Sequence, residues 1–394
     1  MQFTHRAACL GALLVIGWAT SRAHAAITLA QEPTEQTIAP VEVVPTPDDH
    51  TRIVAGLGGR AEAMWLEGEV LWLVKDNPDG PWSTIGGVSV PLKQVDGTDL
   101  WAIGLRWDRW AEAFMGVAFL NNKPPAGPIV YQTWRGERAP SPPEQAPPGR
   151  IESFELPGPV QGSKRTITVV LPPGYKGQEH LPAIVLADGQ SAEEWGGVVA
   201  AMVIKEKAQP VAVVGVHSGG YAGDRSQPYD PELDVRAREY LEGFDKERFD
   251  DHLNWVIESV LPEVSRRYAI SLQRENLGVA GFSNGGAFAA TAALRRGDVF
   301  GMALAMSVGV PPDLEPRVQG VPMARFYFAA GELEHQFLDH TTITFDSVKA
   351  AGGDARLVSF VAGHDPEMWR LALARYLPEM FPPVQRDALR RESD

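Results

Sequence analysis

The chain has 394 residues and a mass of 42.9 kDa, a length that ordinarily divides into roughly two or three domains. With 44% hydrophobic and 22% charged residues it has an ordinary globular composition, which excludes a disordered or fibrous chain. The net charge of −14 argues against a nucleic-acid partner, and a single cysteine excludes an intramolecular disulfide or a cysteine-based zinc site.

At the N-terminus Arg6 precedes an apolar run from Ala7 to Ala19, and Ala23 and Ala25 stand in A-x-A spacing. A basic start, an apolar stretch too short to span a bilayer and small residues before a cut predict a secretory signal peptide over 1–25. A periplasmic or secreted protein follows, with no stable membrane insertion after cleavage. Cleavage would remove Cys9, Arg6 and Arg22 and take the charge from −14 to −16. Residues 26–49 are rich in Pro, Thr and Glu and lack periodicity, which predicts a flexible tether.

Residues 50–137 hold short alternating segments (Glu69–Val74, Leu100–Leu105, Gly116–Leu120, Ile129–Trp134) separated by turn clusters such as DNPDGP and DGTD. This pattern predicts a small β-sandwich. Residues 138–149 (RAPSPPEQAPPG) read as a stiff Pro-rich linker and a true boundary, which predicts a separable second domain.

From residue 150 to 383 the segments become continuously apolar: Arg165–Leu171, Ala183–Ala187, Val211–His217, Leu277–Phe282, Gly301–Ser307, Arg325–Ala330 and Leu357–Val361. Such runs suit strands buried on both faces. Helical segments lie between them; in the longest, Phe249, Leu253, Val256, Ile257, Val260, Leu261 and Val264 recur at helical spacing. Alternation of this kind predicts an α/β domain with a mainly parallel sheet, followed by a polar tail over 384–394.

Gly281-Phe282-Ser283-Asn284-Gly285 fits G-x-S-x-G. An apolar strand leads in and a helix former follows, the setting of a nucleophile elbow. Ser283 would then sit in a strained turn at a helix start, and the backbone N–H of Asn284 would face a developing oxyanion. A nucleophilic serine needs a base and the base an orienting acid, in the chain order Ser, acid, His. His364, in the loop after the last apolar strand, fits the base better than His335 or His340. The loop after Arg325–Ala330 reads Gly-Glu-Leu-Glu-His and offers both Glu332 and Glu334 as the acid. No His/carboxylate cluster has metal-ligand spacing, so no metal and no cofactor are expected.

Four stretches then carry a resemblance: GSKRTITVVLPPGY (162–175), VLADGQ (185–190), GFSNGG (281–286) and AGHDPEMWR (362–370). Together they resemble the esterase D/enterochelin esterase group of α/β hydrolases, with Ala362 in place of the usual first glycine of the last motif. The sandwich-plus-hydrolase layout is also similar to that of enterochelin esterases and some feruloyl esterases, whose N-terminal domains are immunoglobulin-like or carbohydrate-module-like. The resemblance implies an α/β-hydrolase fold over 150–383 behind the sandwich, with Ser283 as nucleophile, His364 as base and Glu334 as acid. It implies the backbone N–H of Gln190 as second oxyanion donor. Trp195, His217, Tyr221 and Arg238 are the expected substrate-binding residues, while Trp369 reads as core packing.

The implied activity is hydrolysis of a small-molecule carboxylic ester. A catecholate-siderophore trilactone leads. A feruloyl or acetyl ester on polysaccharide is the alternative, and a non-catalytic binding protein comes third. An anionic ferric siderophore would require a basic pocket in so acidic a protein, for which Lys164, Arg165, Arg225, Arg236 and Arg238 are candidates. The N-terminal domain could contact glycan or siderophore; Trp107 and Trp110 could stack on sugar rings there, but core packing is the favoured reading of both.

Overall fold

The computed structural model describes residues 39–121, 129–177, 180–223, 230–312 and 320–383. The segments expected to be a signal peptide and a polar tail, and Arg225, lie outside these residues.

The N-terminal region builds two small antiparallel sheets. One contains β1 (Val41–Val43), β2 (Glu62–Glu67), β3 (Val70–Asp76), β5 (Lys93–Gln94) and β6 (Leu100–Arg106); the other contains β4 (Trp82–Gly86), β7 (Phe114–Asn121) and β8 (Gln132–Arg135). Strict alternation along β3 and β6 gives the first sheet two apolar faces. Leu71, Leu73, Ile103 and Leu105 pack against Met115, Val117 and Phe119 of the second sheet. Trp72, Val74 and Ala102 face the other way and are covered by Ile53 and Leu57 of a helix, α1 (His50–Leu57). The tether expected over 26–49 is therefore too long. Val41–Val43 pairs antiparallel with Gly104–Arg106 at the sheet edge, a pairing that so short and polar a segment does not announce.

The linker is not a free spacer. It is extended, but it lies along the second domain: the Ala146 N–H donates to Gly197 O (2.9 Å) and the Gly149 N–H to Leu171 O (3.0 Å), while Glu144 pairs with Lys205.

The second domain is an eight-stranded sheet of β9 (Arg150–Pro157), β10 (Lys164–Leu171), β11 (Ala183–Ala187), β12 (Ala212–Val216), β13 (Leu277–Phe282), β14 (Met302–Met306), β15 (Arg325–Gly331) and β16 (Ala355–Phe360). Its order is β16-β15-β14-β13-β11-β12-β10-β9. The strands from β12 to β16 run parallel, and β9 and β10 close the other edge antiparallel. All seven expected strands are present. The eighth, β9, alternates exposed and half-buried residues as an edge strand does and lacks the apolar run used to find the others.

Helices cover both faces. One layer holds α3 (Val235–Tyr240), α4 (Lys246–Trp255), α5 (Leu261–Tyr268) and α6 (Asn284–Arg295) against residues such as Val169, Val214 and Val279. The other holds α2 (Ala192–Ile204) and α8 (Pro366–Met380) against Ile184, Leu186, Met302 and Leu304. A helix α7 (His335–Ala350) links β15 to β16. This is an α/β-hydrolase fold behind a small β-sandwich. No helix among the described residues is long and apolar enough to cross a membrane.

The two domains share packing. Leu333 and Val361 belong to the sandwich core, and Phe114 of β7 belongs to the hydrolase core. A fully buried side chain of this size contributes roughly 1.5–3 kcal/mol. The separability expected from the linker composition is thus contradicted by side chains that each domain inserts into the other.

Candidate active site

Ser283 ends β13 and caps α6 with φ 58° and ψ −128°, a conformation that costs an L-residue about 1–3 kcal/mol. The turn can be this sharp because its neighbours are glycines. A Cβ on Gly281 would lie 2.2 Å from Gly285 O, and one on Gly286 would lie 2.3 Å from Met306 O. The serine backbone is pinned from both sides: its N–H donates to Met306 O and its carbonyl accepts from the Gly309 N–H, both at 3.0 Å.

His364 sits in the loop between β16 and α8, and its Nδ1 lies 2.6 Å from Glu334 Oε2. The other carboxylate oxygen accepts from the Gly331 N–H and the Ser307 hydroxyl, each at 2.6 Å. Ser307 in turn accepts from Trp369 Nε1 at 2.8 Å. A carboxylate with three donors, nearly all of it out of solvent, is held in one orientation. The imidazole is clasped between the rings of Phe337 (4.2 Å between centroids) and Trp369 (4.9 Å, edge-on). Trp369 stacks on Phe282, at 4.0 Å and 11°, so one indole connects the His364 ring to the residue before Ser283.

Glu332 goes elsewhere. It pairs with Arg109 of the sandwich and accepts from Ser359 Oγ at 3.2 Å. The loop folds back on itself, with the Glu334 N–H donating to Gly331 O (3.2 Å), and this turn aims the second glutamate at His364.

Facing the elbow is the loop after β11. Asp188 is left-handed (φ 57°) and buried, and it forms a two-pronged pair with Arg236: Nε to Oδ1 and Nη2 to Oδ2, each 2.7 Å. Burial works against the Arg236 charge, but the Asp188 carboxylate outweighs it and holds the guanidinium pKa above its ordinary value. The Asp188 N–H donates to the Tyr240 hydroxyl (2.9 Å), whose own pKa burial pushes well up. A Cβ on Gly285 would come within 3.1 Å of Asp188 Oδ2, so this loop and the elbow touch. Gln190 and Asn284 each stand in the first turn of a helical segment, where N–H groups lack intrahelical partners.

Residues 159–380, more than half of the chain, match the family described as "Putative esterase". The chain belongs to this esterase family. It is a carboxylic ester hydrolase. No curated protein sequence matches the esterase significantly. Among solved structures it is similar to the enterobactin esterase Fes of Shigella flexneri, crystallised in the presence of enterobactin, at 16% identity. That match covers 83% of this chain and 97% of that one, with a TM-score of 0.59. It is also similar to the ferric enterobactin esterase of Salmonella typhimurium, at 15% identity over 83% and 98% of the two chains, with a TM-score of 0.60. At these identities the likeness shows the fold.

The expected substrate-binding residues of the esterase fare less well. Trp195 is buried on α2 within the apolar core, its ring 6.3 Å from that of Phe282. Because α2 is apolar nearly all round, its sequence gave no sign of which face points inward. Arg238 spends its charge on Asp245 (2.8 Å) and Glu232 (3.2 Å). The Tyr221 hydroxyl accepts from the Asp230 N–H (3.0 Å) and braces its own loop. His217 Nε2 lies 2.9 Å from Thr168 Oγ1, and burial lowers its pKa. Trp107 and Trp110 are core residues, the favoured reading: they are buried edge-to-face at 5.3 Å inside the sandwich and are not available to stack on sugar. Trp369 is buried as expected, but it also carries the Ser307 contact. Arg236, expected as a candidate cation for a basic pocket, is instead committed to Asp188. Ser307 and Tyr240 were not foreseen as site residues, because no motif marks them. Among the described residues no group of three His, Cys, Asp or Glu could hold a metal.

Proposed function

We propose that the esterase cleaves its substrate through a Ser283–His364–Glu334 triad. Glu334 holds the Nδ1 proton of His364, which leaves Nε2 free to take the proton of Ser283 Oγ as that oxygen attacks the ester carbonyl. The tetrahedral oxyanion is received by the backbone N–H groups of Asn284 and Gln190. Collapse expels the alcohol, which carries off the proton held on Nε2, and leaves an acyl-serine. Water, deprotonated by the same nitrogen, then releases the acid and regenerates the hydroxyl. The observation that carries this reading is the 2.6 Å bond between His364 and Glu334, with the His364 ring connected through Trp369 and Phe282 to a serine at φ 58° on a helix cap. Ser283→Ala should lower kcat by about 10⁶ with folding unchanged, and a fluorophosphonate should label wild type at Ser283 alone. Residual activity within about tenfold of wild type would remove the covalent mechanism.

The substrate we favour is an ester without strong negative charge. The four candidate cations among the described residues are already engaged: Lys164 with Glu155, Arg165 with Glu239, Arg236 with Asp188, Arg238 with Asp245. In a chain of −14 this favours an iron-free catecholate trilactone over its ferric complex. The layout shared with enterobactin esterases makes that trilactone the first compound to assay, followed by feruloylated arabinose. Export by residues 1–25 belongs to the same reading. N-terminal sequencing of the periplasmic fraction should find a chain starting at Ala26.

A further inference from the structure

We infer that the β-sandwich is a positioning element for the catalytic histidine, acting through Asp365 and Arg109. The inference rests on the triad reading above.

His364 is bracketed by contacts to the other domain. On its C-terminal side the Asp365 carboxylate has two tasks. Oδ1 accepts from the Glu367 N–H and caps α8, while Oδ2 accepts from the Gly116 N–H of β7, each at 2.7 Å. Burial pushes this carboxyl above its ordinary pKa, and the Gly116 N–H opposes that rise by stabilising the charged form. On the N-terminal side Gly363 lies against the backbone of Gly87, where a Cβ would fall 2.0 Å from the Gly87 oxygen. Two residues further back the Phe114 N–H donates to Val361 O at 3.0 Å, and Phe114 bridges to Ala362 in parallel register. The acid loop is held by the same domain: Arg109 pairs with Glu332, and Leu333 is inserted into the sandwich core. The two loops are then tied together by Glu332 N–H to Phe360 O (2.8 Å) and Leu333 N–H to Ala362 O (2.9 Å). Within the hydrolase domain the histidine loop is held by its flanking strand and helix, by the acid loop and by Phe337 of α7. The sandwich closes the remaining side. A displacement of about 1 Å at a catalytic group can lower turnover by about 10²-fold, so a clamp of this kind bears on rate without touching substrate.

Asp365→Ser isolates the clamp, since serine still caps α8 with its single oxygen and cannot also reach Gly116. In the full-length protein, assayed with a short nitrophenyl ester, kcat should fall by about 10- to 100-fold with KM within twofold and the melting temperature within a few degrees. Arg109→Gln, which releases the acid loop at a different point, should lower kcat by about three- to tenfold, again at unchanged KM. The second variant decides the matter should the first not fold. Values of kcat within twofold of wild type would overturn the proposal, as would a loss that appears in KM. His364→Ala is the control for the underlying reading. If it retains activity the triad is wrong; if it is inactive while both clamp variants are normal, the clamp alone is wrong.

Discussion

Glu334 and Glu332 are chemically identical and two positions apart, yet they serve different partners. Glu334→Gln should lower kcat by about 10³–10⁴, because the amide no longer fixes the tautomer that presents Nε2 to Ser283. Glu332→Gln should lower it less than about tenfold, since it weakens a partly buried pair with Arg109 and a hydrogen bond from Ser359, neither of which touches His364. Steady-state kinetics on both variants checks the order, and the reverse order would exchange their roles. Ser283, His364 and the two-candidate acid loop stand out in the sequence as candidates because motif and chain order are local signals. The choice between the two glutamates was not legible from residue types, since it depends on a turn that returns the chain to Gly331. Elsewhere, His252 is buried among Tyr240, Phe288 and Trp255, and burial depresses its pKa to about 3. Its folded value lies below the ordinary 6.5, so the stability it contributes is complete above pH 6.5 and is lost as pH falls toward 3. Chemical denaturation of wild type and His252→Gln should therefore show a steeper acid loss for wild type. By pH 5 the extra loss amounts to about 2 kcal/mol.

At the scale of elements, the sheet supplies position and the glycine-rich turns supply shape. Two loops at the ends of neighbouring strands, β11 and β13, approach closely because Gly285 has no side chain to hold Asp188 away. The short helix α3 locks that approach from outside the sheet with Arg236 and Tyr240. Tyr240→Phe leaves the buried Asp188 N–H without an acceptor, which should cost about 1–3 kcal/mol of stability by urea titration. It should also lower kcat more than it raises KM, because the loop it holds carries the Gln190 N–H. The parallel strands were legible as unbroken apolar runs. The edge strand β9 and the helix α1 were not, because half-exposed elements dilute the periodic signal with polar residues.

For the whole molecule, the decisive feature is that the domain boundary in sequence is not a boundary in packing. The Pro-rich linker was legible as a linker, yet its composition cannot reveal that it lies along α2 or that Gly116 meets Asp365 across 249 positions of sequence. A fragment beginning at residue 150 would expose Leu333 and Val361 and lose Phe114 from the hydrolase core. It should aggregate, or melt at least 10 °C below the full chain, and turn over small esters at least 10-fold more slowly; each destabilisation of about 1 kcal/mol moves a domain of this size by about 2–4 °C. A fully active, stable fragment would restore the separable domain that the linker composition predicts.

The strapped linker has one more consequence. A peptide chain ordinarily enforces proximity, but here the join between the halves duplicates what their surfaces already provide. Severing a peptide bond within 140–149 would leave two polypeptides holding each other through Phe114, Leu333, Val361 and the Asp365 contact, as one particle with an intact catalytic centre. In the esterase the covalent join is thus redundant with the packing: the chain's two halves would behave as partners that recognise each other.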